Sequence, residues 1–203
     1  MPTLKLIYFN IAARAEPIRH ALYIGGIEFE DSRVSREEFS AMKPNLPSGQ
    51  LPVLEVDGFP LSQSHAILRY AGKLAGLYPE DPLEAAKTDA IMGLIEDIHS
   101  KVGPTIREPD ATKKMEMRAK LAEEILPLWF GFLQTTLEGC GDFFGGASAN
   151  IADLMALQEL KWISSGILDG IPTTILDGFP VLSAYLERMK ALPKIVEYYE
   201  SRS

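Results

Sequence analysis

Gln50-Leu51-Pro52-Val53-Leu54-Glu55-Val56-Asp57-Gly58-Phe59-Pro60-Leu61-Ser62-Gln63-Ser64-His65-Ala66-Ile67 contains a hairpin and the start of a helix. Two short runs, Val53 to Val56 and Phe59 to Leu61, flank Asp57-Gly58. Asp-Gly between such runs predicts a two-residue turn, because both residues tolerate the positive φ that the turn requires. Pro60 has no amide donor, so its strand belongs at a sheet edge. Leu51-Pro52 stands at the entry to the hairpin. It reads either as a plain turn proline or as a cis peptide that turns the Leu51 backbone groups outward. In the second case those groups can pair with an extended peptide ligand as a short added strand. Past the hairpin, Ser64 is expected to cap a helix bearing Ile67, Leu68, Ala71 and Leu74. Gln63-Ser64 is then either a simple cap or a place where free amides and the helix dipole hold a carboxylate.

Upstream, Leu4 to Phe9 is an apolar run with the length of a buried strand. Pro17 suits the first turn of a helix that carries Ile18, Ala21, Leu22 and Ile24 and stops at Gly25-Gly26. Ile27 to Val34 reads as a second strand, and residues 35 to 43 as a short helical or irregular stretch. The element order is β-α-β-α-β-β-α.

Downstream the texture changes. Tyr78-Pro79-Glu80-Asp81-Pro82 is a Pro-punctuated acidic linker. It separates a mixed region, residues 1 to 78, from a helical one, residues 83 to 203. A helix is expected from Pro82 to about Pro104, with Ala86, Ala90, Ile91, Leu94, Ile95 and Ile98 at helical spacing. A second spans Lys113 to Glu138, bent or broken at Pro127. Asn150-Ile151-Ala152-Asp153 has the form of a capping box ahead of the run Leu154 to Ser165. Pro180 to Lys190 and Pro193 to Tyr199 read as closing helices, each opened by a proline.

Composition narrows the function. The chain has 203 residues, 46% hydrophobic and 24% charged, enough to bury a core. A net charge of −8 argues against nucleic acid as a partner, since phosphate neutralisation needs clustered Lys and Arg. The single cysteine, Cys140, excludes an intrachain disulfide and disfavours a cysteine metal site. The opening residues do not read as a signal peptide, and no apolar run reaches membrane-spanning length. The expectation is a cytoplasmic protein without a membrane partner.

Four local features carry possible chemistry, and each has a bland reading when taken alone. Tyr8 at a strand end, followed by Arg14, reads on its own as a half-buried aromatic. Leu51-Pro52 and Gln63-Ser64 are the second and third. Glu96-Asp97 on the first long helix reads on its own as a solvated face. Together they describe a site for a small peptide with a carboxylate, an amine and an extended backbone. In this order and spacing, Tyr8-Phe9-Asn10, Arg14-Ala15-Glu16-Pro17-Ile18-Arg19, Leu51-Pro52-Val53-Leu54, Leu61-Ser62-Gln63-Ser64-His65-Ala66-Ile67 and the Asn150 box resemble the soluble glutathione transferases, nearest to their sigma class. The resemblance covers essentially the whole chain.

It implies an α/β thioredoxin-like N-terminal domain, an all-α C-terminal domain, and an active site in the cleft between them. Glutathione is the implied co-substrate, with no metal required. Tyr8 would donate its hydroxyl to the glutathione sulfur, and Arg14 would support the same electrostatics. Lys43 would meet the glycine carboxylate, Gln50, Leu51 and Pro52 the cysteinyl backbone, and Gln63 and Ser64 the γ-glutamyl carboxylate. Asp97 would reach the partner's γ-glutamyl amine across a homodimer interface. Phe9, Ala13, His99 and Met155 would line the pocket for a hydrophobic electrophile. Two departures from the family pattern bear on affinity and pocket size: Phe39 in place of a tryptophan and Ala13 in place of a frequent glycine. The absence of Cys-x-x-Cys removes dithiol redox chemistry. The expected activity is conjugation of glutathione to small hydrophobic electrophiles, a detoxifying reaction. The alternatives are a glutathione-dependent prostaglandin isomerase and a non-catalytic, crystallin-like binding relative.

Overall fold

The computed structural model describes residues 2–202 of the chain. It divides into two compact units: residues up to Pro79 together with those from Glu197 on, and Glu80–Val196.

The first unit follows the expected order: β1 (Leu4–Phe9), α1 (Glu16–Ile24), β2 (Glu30–Val34), α2 (Arg36–Met42), β3 (Val53–Val56), β4 (Phe59–Ser62) and α3 (Ser64–Leu74). The sheet order is β2-β1-β3-β4, with β1 parallel to β2 and the other pairs antiparallel. Pro60 thus lies on an edge strand, where its missing donor costs no ladder bond. Asp57 and Gly58 have φ of 48° and 84°, as the hairpin signature requires. Leu6 and Leu54 of the sheet are fully buried, as are Ile18 and Leu22 of α1 and Ile67 of α3. Each such side chain contributes about 2 kcal/mol of burial. Helices α1 and α3 pack on each other. A Cβ on Gly25 would stand 2.7 Å from the Ala75 Cβ, so only glycine fits this approach.

Three local expectations are corrected. Strand β2 starts at Glu30 and not at Ile27. The Ile27 amide instead closes α1 by donating to the Leu22 carbonyl at 2.9 Å, with Gly26 at φ 64°. Ser64 is the first residue of α3; Gln63 holds the cap position, with no side-chain bond. Leu74 is exposed, unlike Ile67, Leu68 and Ala71.

The second unit is helical: α4 (Pro82–Arg107), α5 (Ala111–Lys120), α6 (Leu126–Cys140), α7 (Ile151–Ile163), α8 (Pro180–Lys190) and the start of α9 (Pro193–Glu200). Asp81 and Asp110 cap α4 and α5 through first-turn amides. Helix α4 runs past the expected stop, so Pro104 lies inside it. Val102 and Thr105 are buried there, and their packing outweighs the roughly 3 kcal/mol cost of an internal proline. The expected break at Pro127 appears one turn early. Leu121–Ile125 widens into a π turn, with the Leu126 amide donating to the Leu121 carbonyl, and α6 restarts with Pro127 in its first turn. Helix α7 is buried on nearly every face, against α4 and α8. Its capping box forms as expected: Asn150 Oδ1 accepts from the Ala152 amide at 2.8 Å, and Asp153 Oδ2 from the Asn150 amide at 2.8 Å. No helix among the described residues is long and apolar enough to cross a membrane.

Candidate active site

Tyr8 is the penultimate residue of β1 and is buried. Burial pushes its phenol above the ordinary 10.0, against the Arg14 backbone amide and the Arg14 and Arg19 charges. The phenol is therefore protonated at neutral pH. Because the Arg14 amide donates to the hydroxyl oxygen, the phenolic proton is left to be given elsewhere. The turn that delivers this amide passes through Ala13 at φ 42°, a left-handed conformation that costs a non-glycine residue about 1 kcal/mol. This is the physical reason a glycine suits position 13.

Arg14 Nη1 reaches Ser64 Oγ at 3.5 Å, which joins Tyr8, Arg14 and the start of α3 in one place. Gln63, just before Ser64, has φ 74° and ψ 109°. Strain of this kind, about 1 kcal/mol or more, persists only where the surroundings impose it. It leaves the first amides of α3 without a side-chain cap from Gln63, a ready donor set for an anion. Strand register places Leu51-Pro52 at the same end. Ile7 pairs with Val53 and Val53 with Ser62, so Tyr8, Pro52 and Gln63 each lie one step beyond that row. The Leu51-Pro52 peptide is cis. Gln50 is exposed beside it.

Phe9 extends the site along α2. Its ring meets that of Tyr8 at 5.6 Å and that of Phe39 at 5.2 Å, both edge to face. Lys43 Nζ stands 5.9 Å from the Phe39 ring centroid. Phe39 thus sits between Phe9 and Lys43 without offering a donor of its own. All the candidate residues of the first unit fall along this run from Ser64 to Lys43 or at the Leu51-Pro52 corner.

The second unit holds the other three. Asp97 is exposed on α4. His99, also on α4, is half-buried, with Nδ1 3.0 Å from Glu159 Oε2 on α7 and its ring 5.4 Å from that of Trp162. Met155 is buried one turn before Glu159 on the same helix. His99 is therefore a paired group.

Sequence reasoning passed over Arg19, Glu16 and Asp31. Arg19 is fully buried, bonded to both carboxylates, and its Cζ lies 5.9 Å from the Tyr8 ring centroid. The i, i+3 spacing of Glu16 and Arg19 was the available signal. Asp31 lies on β2, twelve residues from Arg19, and carried none. Among the described residues no cluster of three or more His, Cys, Asp or Glu is placed to hold a metal ion.

Comparison with known proteins identifies the family. Residues 4–73 match the glutathione S-transferase N-terminal domain, and residues 96–202 the C-terminal domain. Glutathione S-transferase 1 of Ascaris suum is 35% identical over 100% of this chain and 98% of its own. Among solved structures, prostaglandin synthase D of Nilaparvata lugens has a TM-score of 0.90 at 32% identity, covering 100% of this chain and 99% of that one. A monomeric glutathione S-transferase, Na-GST-3 of the hookworm Necator americanus, has a TM-score of 0.85 at 33% identity, covering 99% and 98%. In sequence over both domains and in fold over its full length, the chain belongs to the glutathione S-transferase family.

Proposed function

We propose that this transferase ionises the thiol of glutathione with Tyr8 and directs the thiolate at the electrophilic carbon of a small hydrophobic substrate. The observation that carries this reading is the buried phenol whose oxygen already receives the Arg14 amide, so that its own proton is available to sulfur. A free thiol has a pKa of about 8.5. Lowering it by about two units takes roughly 2.7 kcal/mol of preferential thiolate stabilisation. A directed O–H···S⁻ bond in a site with little water supplies much of that. Arg14 adds a permanent positive charge.

The same reading extends to the rest of the tripeptide. Gln63, Ser64 and the free amides of α3 take the γ-glutamyl carboxylate, supported by the uncapped helix start. Gln50, Leu51 and Pro52 take the cysteinyl backbone, and Lys43 beside Phe39 takes the glycine carboxylate. The N-terminal domain, residues 1 to 78, is the glutathione-binding one. For electrophile recognition the candidate residues are His99 and Met155 in the helical domain, residues 83 to 203, and Phe9 and Ala13 in the N-terminal domain. Asp97 acts on a partner's γ-glutamyl amine in a homodimer. We place the chain in the sigma class, in the cytoplasm, in a detoxifying role that needs no metal. The isomerase reading is not favoured, because relatives named transferase match the same full length as the prostaglandin synthase.

Conjugation of glutathione to 1-chloro-2,4-dinitrobenzene tests the proposal. Tyr8→Phe is expected to lower kcat by roughly a hundredfold, the size of one lost donor to a developing anion. Its melting temperature stays close to that of the parent. Unchanged turnover would remove Tyr8 from the mechanism.

A further inference from the structure

A fully buried guanidinium is tolerated only when its donors are met. Arg19 meets its own in a way that bears on Tyr8. Nε donates to Asp31 Oδ1 at 3.0 Å, and Nη1 to Glu16 Oε2 at 3.1 Å. Nη1 also donates to the Ile11 carbonyl at 2.8 Å, and Nη2 to that of Phe9 at 3.5 Å. One cation therefore grips both ends of the turn Phe9-Asn10-Ile11, which begins one residue after Tyr8 and is closed by the Ile11 amide on the Phe9 carbonyl at 2.8 Å. Arg33 adds a third grip, with Nη1 on Asn10 Oδ1 at 2.7 Å and its other nitrogens on Asp31. The same turn leads on to Arg14, whose amide serves the Tyr8 hydroxyl.

The two carboxylates are held in turn from the C-terminal end of the chain. Tyr198 donates its hydroxyl to Glu16 Oε1 at 3.1 Å. Arg202 Nη1 donates to Asp31 Oδ2 at 3.1 Å, and its guanidinium lies 4.4 Å from the Tyr198 ring centroid. His20 packs edge to face on Tyr198, with Nε2 3.2 Å from the Tyr199 hydroxyl. Three guanidiniums thus share two carboxylates, and of the three Arg19 lies beside the Tyr8 ring.

We propose that Arg19 is a positioning residue for Tyr8, and that the C-terminal turn Tyr198 to Arg202 acts on the reacting centre by holding Arg19's two carboxylate partners. The proposal rests on the reading of Tyr8 as the donor to sulfur. Loosening Arg19 frees the turn after β1 and moves the hydroxyl and the Arg14 amide together. Small displacements of a donor weaken its bond to a forming anion steeply.

The test is a pH titration of the thiolate absorbance of the full chain saturated with glutathione, for the parent, Tyr8→Phe, Arg19→Lys, Tyr198→Phe and Arg202→Gln. Arg19→Lys keeps a charge and loses the fork. It is expected to raise the bound thiol pKa by about one pH unit, or roughly tenfold less thiolate at a fixed pH, and to lower kcat with little change in the KM for glutathione. Tyr198→Phe and Arg202→Gln shift the thiol pKa the same way by about half as much. A cluster that only ties down the chain end changes the melting temperature and leaves the thiol pKa alone. If Tyr8→Phe raises the thiol pKa while Tyr198→Phe and Arg202→Gln do not, the proposal is overturned and the role of Tyr8 stands, whether or not Arg19→Lys folds. If Tyr8→Phe itself leaves the thiol pKa unmoved, the underlying reading is what fails.

Discussion

Position 39 shows how one ring sets an affinity. Phe39 packs edge to face on Phe9 and lies under Lys43, so its place is kept by packing while its edge offers no donor. Phe39→Trp adds an indole N–H toward the glycyl end of glutathione. One added hydrogen bond is worth about 1 kcal/mol, so the KM for glutathione is expected to fall about fivefold. Steady-state kinetics with varied glutathione check this, and an unchanged KM would mean that Lys43 alone holds that carboxylate. At this scale the sequence was informative where the residue itself states its chemistry. Tyr8, Arg14 and Ser64 were nominated from order and spacing, and Arg14 Nη1 does reach Ser64. Arg19 was not nominated: apart from the i, i+3 spacing to Glu16, its partner Asp31 and the residues that hold its two carboxylates, Tyr198 and Arg202, come from distant parts of the chain.

Among elements, α7 depends on a single carboxylate. Asp153 is fully buried and accepts from the amides of Phe144, Gly145 and Asn150 and from the Tyr185 hydroxyl. Burial pushes its carboxyl above the ordinary 3.8 against those four bonds. Asp153→Ala strands the buried amides of Phe144 and Asn150, the part-buried amide of Gly145 and a buried phenol. The expected loss is about 3 kcal/mol or more, read as a lower urea midpoint with the glutathione site otherwise intact in the folded fraction. A loss below about 0.5 kcal/mol would show that the box is dispensable. This box and the Asp57-Gly58 hairpin were legible because each is written within a few residues. The corrected boundaries had longer-range causes. Ile27 left the expected strand to close α1, Gln63 took the strained cap that Ser64 was expected to fill, and buried Val102 and Thr105 carried α4 past Pro104. Pro127 marked the break in the second long helix but not its form, since the π turn precedes it.

For the molecule as a whole, assembly is the first question, because the proposed role of Asp97 requires a second copy of the chain. Sedimentation velocity is expected to give a dimer at micromolar concentration, with Asp97→Ala raising the KM for glutathione. A fully active protein that is monomeric, as the Necator americanus relative is named, would remove that role. The family was legible over both family-model domains, because the motifs are short, local and in register. The C-terminal turn was not, since its membership in the first unit depends on Tyr198 and Arg202 finding Glu16 and Asp31. The central claim concerns a proton, and the most direct measurement is the ultraviolet thiolate band of the glutathione-saturated protein at neutral pH, compared with Tyr8→Phe. The account predicts a strong band in the parent and its near loss in the variant; equal bands in both, or none in the parent, would contradict it.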